Sequence, residues 1–134
     1  MGAILRSMSA IVVGMLSSLI VLYATAGATG WAGSIAPFGA ADMVITGARW
    51  LIASTVGGYT TAATVRRAPI WHGVVIGGFV FTIIGYGVAW EDLDFFSPWF
   101  VDPMLLLVFV AAALGGYIRV ITAAKKARLV HDGT

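Results

Sequence analysis

Apolar residues gather into four long blocks, near residues 8–26, 44–64, 72–90 and 103–123. About 20 consecutive apolar residues are enough for a helix to cross a bilayer, and each block comes close to that. The breaks between blocks are turn-forming or charged. Gly27-Ala28-Thr29-Gly30 ends the first block, and Gly33, Pro37 and Gly39 make the following connection irregular. Arg66-Arg67-Ala68-Pro69 ends the second block, since Pro69 disfavours helix at Ala68. Glu91-Asp92-Leu93-Asp94 ends the third. Phe95-Phe96-Ser97-Pro98-Trp99-Phe100 then reads as an interfacial segment broken by Pro98. Asp102 is the expected N-cap of the fourth helix, with Pro103 in its first turn and Lys125, Lys126 and Arg128 closing it. The pattern predicts an all-α fold, a single domain made of a four-helix transmembrane bundle.

Charge sharpens that pattern. Arg6, Arg66, Arg67, Arg119, Lys125, Lys126 and Arg128 fall on one side of the membrane that four crossings imply. Asp42, Glu91, Asp92, Asp94 and Asp102 fall on the other. Cytoplasmic loops are enriched in Lys and Arg, so both termini are expected in the cytoplasm. Trp31, Trp50, Trp71, Trp90 and Trp99 are expected at helix ends or in the outer connections, as aromatic belts require. Arg6 and the small-residue run Ala24-Thr25-Ala26 also fit a secretory signal, but the first apolar block exceeds the usual h-region, so a retained helix is expected.

Composition agrees. The 134 residues are 60% hydrophobic and 10% charged, against about 25% charged in a typical soluble domain. A soluble fold could not hide so much apolar surface. The net charge of +2 is small and its cations cluster at helix ends, which argues against a nucleic-acid partner. The chain has no Cys, which excludes disulfides, thiolate catalysis and Cys-ligated metals.

Small residues recur where helices would meet. Ala53/Gly57, Ser54/Gly58, Ala111/Gly115 and Ala112/Gly116 are pairs four apart, and Gly73/Gly77 is a G-x-x-x-G. In lipid such pairs let helices approach closely. The second and fourth helices are expected to cross with Gly57, Gly58, Gly115 and Gly116 at the contact. The two regions also align at a shift of 58 residues: Ala53…Gly57-Gly58-Tyr59 matches Ala111…Gly115-Gly116-Tyr117, with Thr64 and Arg67 meeting Thr122 and Lys125. Val12-Val13-Gly14 is matched by Val75-Ile76-Gly77 at a slightly different spacing, a shift of 63. This reads as an internal repeat of two parallel helical hairpins.

Candidate chemistry is sparse. Arg49 is the one cation away from the basic side. It is expected to snorkel to the outer headgroups or pair with Asp42, Asp92 or Asp94; the sharper reading is an anion or pore site with Tyr59 and Tyr117. Arg66, Arg67, Lys125 and Lys126 could meet anionic lipid. Glu91, Asp92, Asp94 and Asp102 lack calcium-loop spacing, and His72 and His131 are far apart, so no metal site is expected. There is no nucleophile–base pair, phosphate loop or dinucleotide fingerprint, so neither catalysis nor a cofactor is expected.

Gly57-Gly58-Tyr59-Thr60-Thr61-Ala62, followed by Arg66-Arg67, Pro69, His72 and Gly77, resembles uncharacterised small four-helix bacterial inner-membrane proteins with a G-G-Y-x-x-A motif. Pro98-Trp99-Phe100 and Gly115-Gly116-Tyr117 are similar to their C-terminal half. The resemblance implies a four-helix bundle in a bacterial inner membrane and no activity. The expected function is non-enzymatic: an accessory or structural subunit of a homo-oligomer or a larger membrane complex, with the lipid bilayer as its other partner. The alternative is a small channel or transporter formed by dimerisation around the second and fourth helices.

Overall fold

The computed structural model describes residues 2–28, 40–65, 69–90 and 98–132. These form four helices, α1 (Gly2–Ala28), α2 (Ala40–Thr64), α3 (Pro69–Trp90) and α4 (Pro98–Asp132), with no strand among the described residues. The chain is all-α, as its apolar blocks indicate. The shortest helix has 22 residues, which rise about 33 Å, the thickness of bilayer hydrocarbon. Two stretches, Ile4–Thr25 and Asp102–Leu129, are both long and apolar enough to cross a membrane. The described apolar stretch of α3, Pro69–Ile83, is shorter. In α2 the long span is diluted by Thr46, Arg49, Ser54, Thr55, Thr60 and Thr61.

Helix boundaries depart from the sequence reading most at α4. Its first residue is Pro98, and Pro103 lies inside the helix, so Asp102 is not a cap. A proline at this point removes only the helical bond to the Trp99 carbonyl. Phe100 offsets that loss. It is buried against Met43, Trp50, Met104 and Leu105, and its ring lies 6.1 Å from that of Trp50. Trp50 is thus half-buried against both apolar clusters and lies well inside α2 rather than at a helix end. Trp71, in the first turn of α3, is largely exposed. At its other end α4 does not stop at Lys125 and Lys126 but carries them on a helix continuing to Asp132. The connections holding Trp31, Pro37, Arg66, Arg67, Glu91, Asp92 and Asp94 lie outside the described residues.

α2 is the hub. It touches α1, α3 and α4, whereas α1 and α4 do not touch each other and α1 meets α3 only slightly. α2 and α3 therefore form the short diagonal of a rhombus, with α1 and α4 at its far corners. Paired contacts fix the directions. Gly47 faces Phe100 and Met104 while Gly115 faces Thr55 and Tyr59, so α2 and α4 run parallel. Arg49 reaches Leu22 while Gly57 faces Gly14, so α1 and α2 run antiparallel. Ile76, Val80 and Val108 form the apolar centre, flanked by Ile11, Met15, Trp50, Leu51, Phe79, Leu105 and Phe109.

Polarity is inverted relative to a water-soluble protein. Beyond that centre and the cluster around Phe100, the buried side chains are small or polar: Ala10, Ser18, Thr46, Arg49, Ala53, Ser54, Thr61, Ala62, Ala111 and Ala112. The large aliphatic residues point outward: Leu106 is 68% exposed and Ile20 66%. Met8, Val12, Leu16, Ile52 and Val110 are exposed as well. In water that surface would be an unstable apolar coat.

Candidate functional site

Glycine sets how closely the helices approach. A Cβ built on Gly58 would run into the Ala112 carbonyl oxygen, and one on Gly115 into the Thr55 carbonyl oxygen. Thr55 and Gly58 are three apart on α2, as Ala112 and Gly115 are on α4, so the crossing is locally two-fold symmetric. In each glycine the hydrogen replacing the side chain points at the opposing carbonyl, which is the placement of a Cα–H···O contact. Gly14 and Gly57 make a second reciprocal approach between α1 and α2. A Cβ on Gly14 would lie 2.9 Å from the Gly57 oxygen, and one on Gly57 would lie 3.0 Å from the Gly14 oxygen.

The small residues named from sequence are thereby spread over three interfaces. Gly58 and Gly115 stand at the α2–α4 crossing. Gly57 faces α1 and Ile76 instead, beside Ser18. Gly116 faces Pro69 and Ile70 at the start of α3. Gly73 and Gly77 face Ala112 and Phe109 of α4. Ala53 and Ala111 are buried. Residues aligned at a shift of 58 do not share surroundings: Gly57 meets α1, whereas Gly115 meets α2.

Hydroxyls add direct ties. Ser18, on α1, donates from Oγ to the Ala53 carbonyl of α2 at 3.1 Å and is fully buried. Ser54 and Thr61 turn their hydroxyls onto their own helix, donating to Trp50 and Gly57 carbonyls at 2.8 Å. Among the described residues no buried side-chain polar atom lacks a partner. Hydrogen bonds between membrane helices contribute on average about 0.6 kcal/mol. Ser18→Ala is therefore expected to lower unfolding stability in bicelles by about that much, a small but measurable shift. Gly14 and Ser18, another small pair four apart, were the available sequence signal for this interface.

Arg49 is the charged residue of this interior. Only 9% exposed, it donates from Nε to Thr25 Oγ1 at 3.2 Å and from Nη2 to the Leu22 carbonyl at 3.1 Å. Thr25 in turn donates to Val21 and Leu22 carbonyls of its own helix. The guanidinium, with its fixed fork of donors, thus spans from α2 to the last turns of α1. The structure does not bring it to the tyrosines. Tyr59 lies ten residues farther along α2, about 15 Å away in rise. Tyr59 and Tyr117 stand at nearly one level on the parallel helices, both exposed. Arg66 and Arg67 are outside the described residues, while Lys125 and Lys126 are exposed on α4. Among the described residues no three His, Cys, Asp or Glu side chains group as metal ligands.

The arrangement offers contact chemistry rather than reaction chemistry: carbonyl–glycine approaches, a serine tie and an arginine clamp. Compared with known proteins, the chain matches no family model, no curated protein and no solved structure.

Proposed function

We propose that this chain is a non-enzymatic inner-membrane protein whose four helices all cross the bilayer, with both termini in the cytoplasm. It serves as an accessory or structural subunit of a homo- or hetero-oligomeric membrane assembly. The observation that carries this reading is the inverted polarity: large aliphatic residues outward, small and hydroxylated residues inward. Hydrocarbon is the solvent that accepts such a surface, and small interior residues are how helices pack within it. α2, too polar to cross alone, is shielded by the other three helices. The placement of basic residues at one end supports the orientation.

The subunit role rests on Arg49. An ionisable group at membrane depth marks an ion or substrate path by default. Here its donors are engaged with α1, so it joins two helices rather than presenting charge to a vestibule. The channel or transporter alternative keeps one support, the exposed Tyr59 and Tyr117 at a common level on α2 and α4. Dimerisation there would join mostly apolar faces, since Ile45, Ile52, Leu107, Val110 and Leu114 are their exposed neighbours.

Native mass spectrometry after gentle extraction with the surrounding membrane separates the two. The subunit reading expects a discrete assembly of defined stoichiometry and no ion or solute flux from proteoliposomes of the pure chain. Flux that disappears on Tyr59→Phe or Tyr117→Phe would replace it with the transport reading.

A further inference from the structure

The packing register brings cations from both ends of the chain into one short band. α1 and α2 pair Gly14 with Gly57 and Ser18 with Ala53, while α2 and α4 pair Thr55 with Gly115 and Gly58 with Ala112. Carried along the helices, these pairings set Arg6 of α1 level with Val65 of α2 and Thr122 of α4, about one turn short of Lys125 and Lys126. Thr64, the last residue of α2, lies at the same level as Arg6. Arg6, Lys125, Lys126 and Arg128 are all exposed and occupy a band of about 9 Å, given a helical rise of 1.5 Å per residue. α1 and α4 do not touch; α2 and α3 stand between them. No carboxylate is described at this level; Asp132, the one acid nearby in sequence, lies beyond it. The headgroup layer of a bilayer is about 5–7 Å deep on each side, and long Lys and Arg side chains can reach into it from a band of this height.

We infer that this band binds the phosphate headgroups of anionic phospholipid in the leaflet that it faces, with Arg6 on α1 and Lys125, Lys126 and Arg128 on α4 as the contacting groups. The inference rests on the membrane-spanning reading above. Orientation alone requires only that cations remain on one side. It does not require that residues 6 and 125–128, from opposite ends of the chain, fall within one short band with no described acid. Basic side chains near an anionic surface attract it additively, and phosphate is the acceptor that both Lys and Arg serve.

The test uses the full chain in nanodiscs of mixed phosphatidylglycerol and phosphatidylcholine, with retained lipid counted by native mass spectrometry after ejection from the disc. The wild type is expected to retain phosphatidylglycerol over phosphatidylcholine, and the triple variant K125Q/K126Q/R128Q to lose at least tenfold of that preference. Raising the salt should erode the preference, as for any exposed charge. Equal retention of both lipids by the wild type, or an unchanged preference in the triple variant, overturns the inference while leaving the membrane reading intact. Failure of the wild type to enter the disc overturns both. An acidic protein captured at this end that displaces phosphatidylglycerol from the wild type overturns the lipid assignment in favour of a protein partner.

Discussion

Gly58→Ala is expected to lose at least about 2 kcal/mol of stability, and Gly115→Ala a similar amount, although each adds only one methyl group. A new methyl can usually be absorbed when it meets the end of a flexible side chain. Here it meets a backbone carbonyl oxygen on the facing helix, Ala112 or Thr55. A helix backbone cannot yield locally, so α2 and α4 must separate along their length. That forfeits the Cα–H···O contacts and the packing around them, at the upper end of overpacking costs. The double variant should cost less than the sum of the single ones, because the first methyl has already opened the shared interface. Gly78→Ala supplies the control. Its methyl would meet only the Phe109 ring edge at 3.4 Å, and helix propensity favours Ala, so stability should stay within about 1 kcal/mol of wild type. Unfolding titrations in mixed detergent micelles, followed by circular dichroism, measure all four. A Gly58→Ala protein as stable as Gly78→Ala would mean that the α2–α4 crossing is not this close.

Arg49→Ala comes second, with an expected loss of about 2–4 kcal/mol. The variant removes two hydrogen bonds from a charged donor, each contributing about 1.5–3 kcal/mol before relaxation, and leaves a gap between α1 and α2. Arg49→Lys should fall roughly halfway, since a single ammonium lacks the fork that reaches Thr25 Oγ1 and the Leu22 carbonyl together. Loss of the clamp should loosen α1 first, because α1 is tied mainly to α2. Hydrogen exchange measured along the chain should show α1 protection falling before that of α3 or α4. Unchanged stability in Arg49→Ala, combined with loss of an anion flux carried by the wild type, would move Arg49 from a structural tie to a transport site.

The extent of legibility in the sequence follows from what each signal depends on. Long apolar blocks report the solvent and the helical class, because both act on every residue in turn. The four helices and their order were therefore readable. The identity of each interface was not. Gly57 and Gly58 are adjacent in sequence but 100° apart around the helix, so one faces α1 and the other α4. Small-residue spacing marks a face that approaches something and cannot say what. Trp50 was misplaced because aromatic residues serve both interfaces and cores, and only Phe100, fifty residues later, decides between them. The start of α4 was missed for the same reason: Pro103 argues locally for a first turn, and the burial of Phe100 overrides it. Arg49 was legible as unusual. Its partners were not, since a backbone carbonyl such as that of Leu22 carries no side-chain signature.

Immersion of the outward aliphatic face in hydrocarbon is tested most directly by introducing single cysteines, which the natural absence of Cys makes simple. Cysteines placed at Val12, Leu16, Ile52 and Val110 in intact inner-membrane vesicles should resist a membrane-impermeant maleimide. One at Asp42 should react from one face and one at Lys126 from the other. Rapid labelling at Val110 and Leu16, or labelling of Asp42 and Lys126 from the same face, would contradict a chain threaded through lipid.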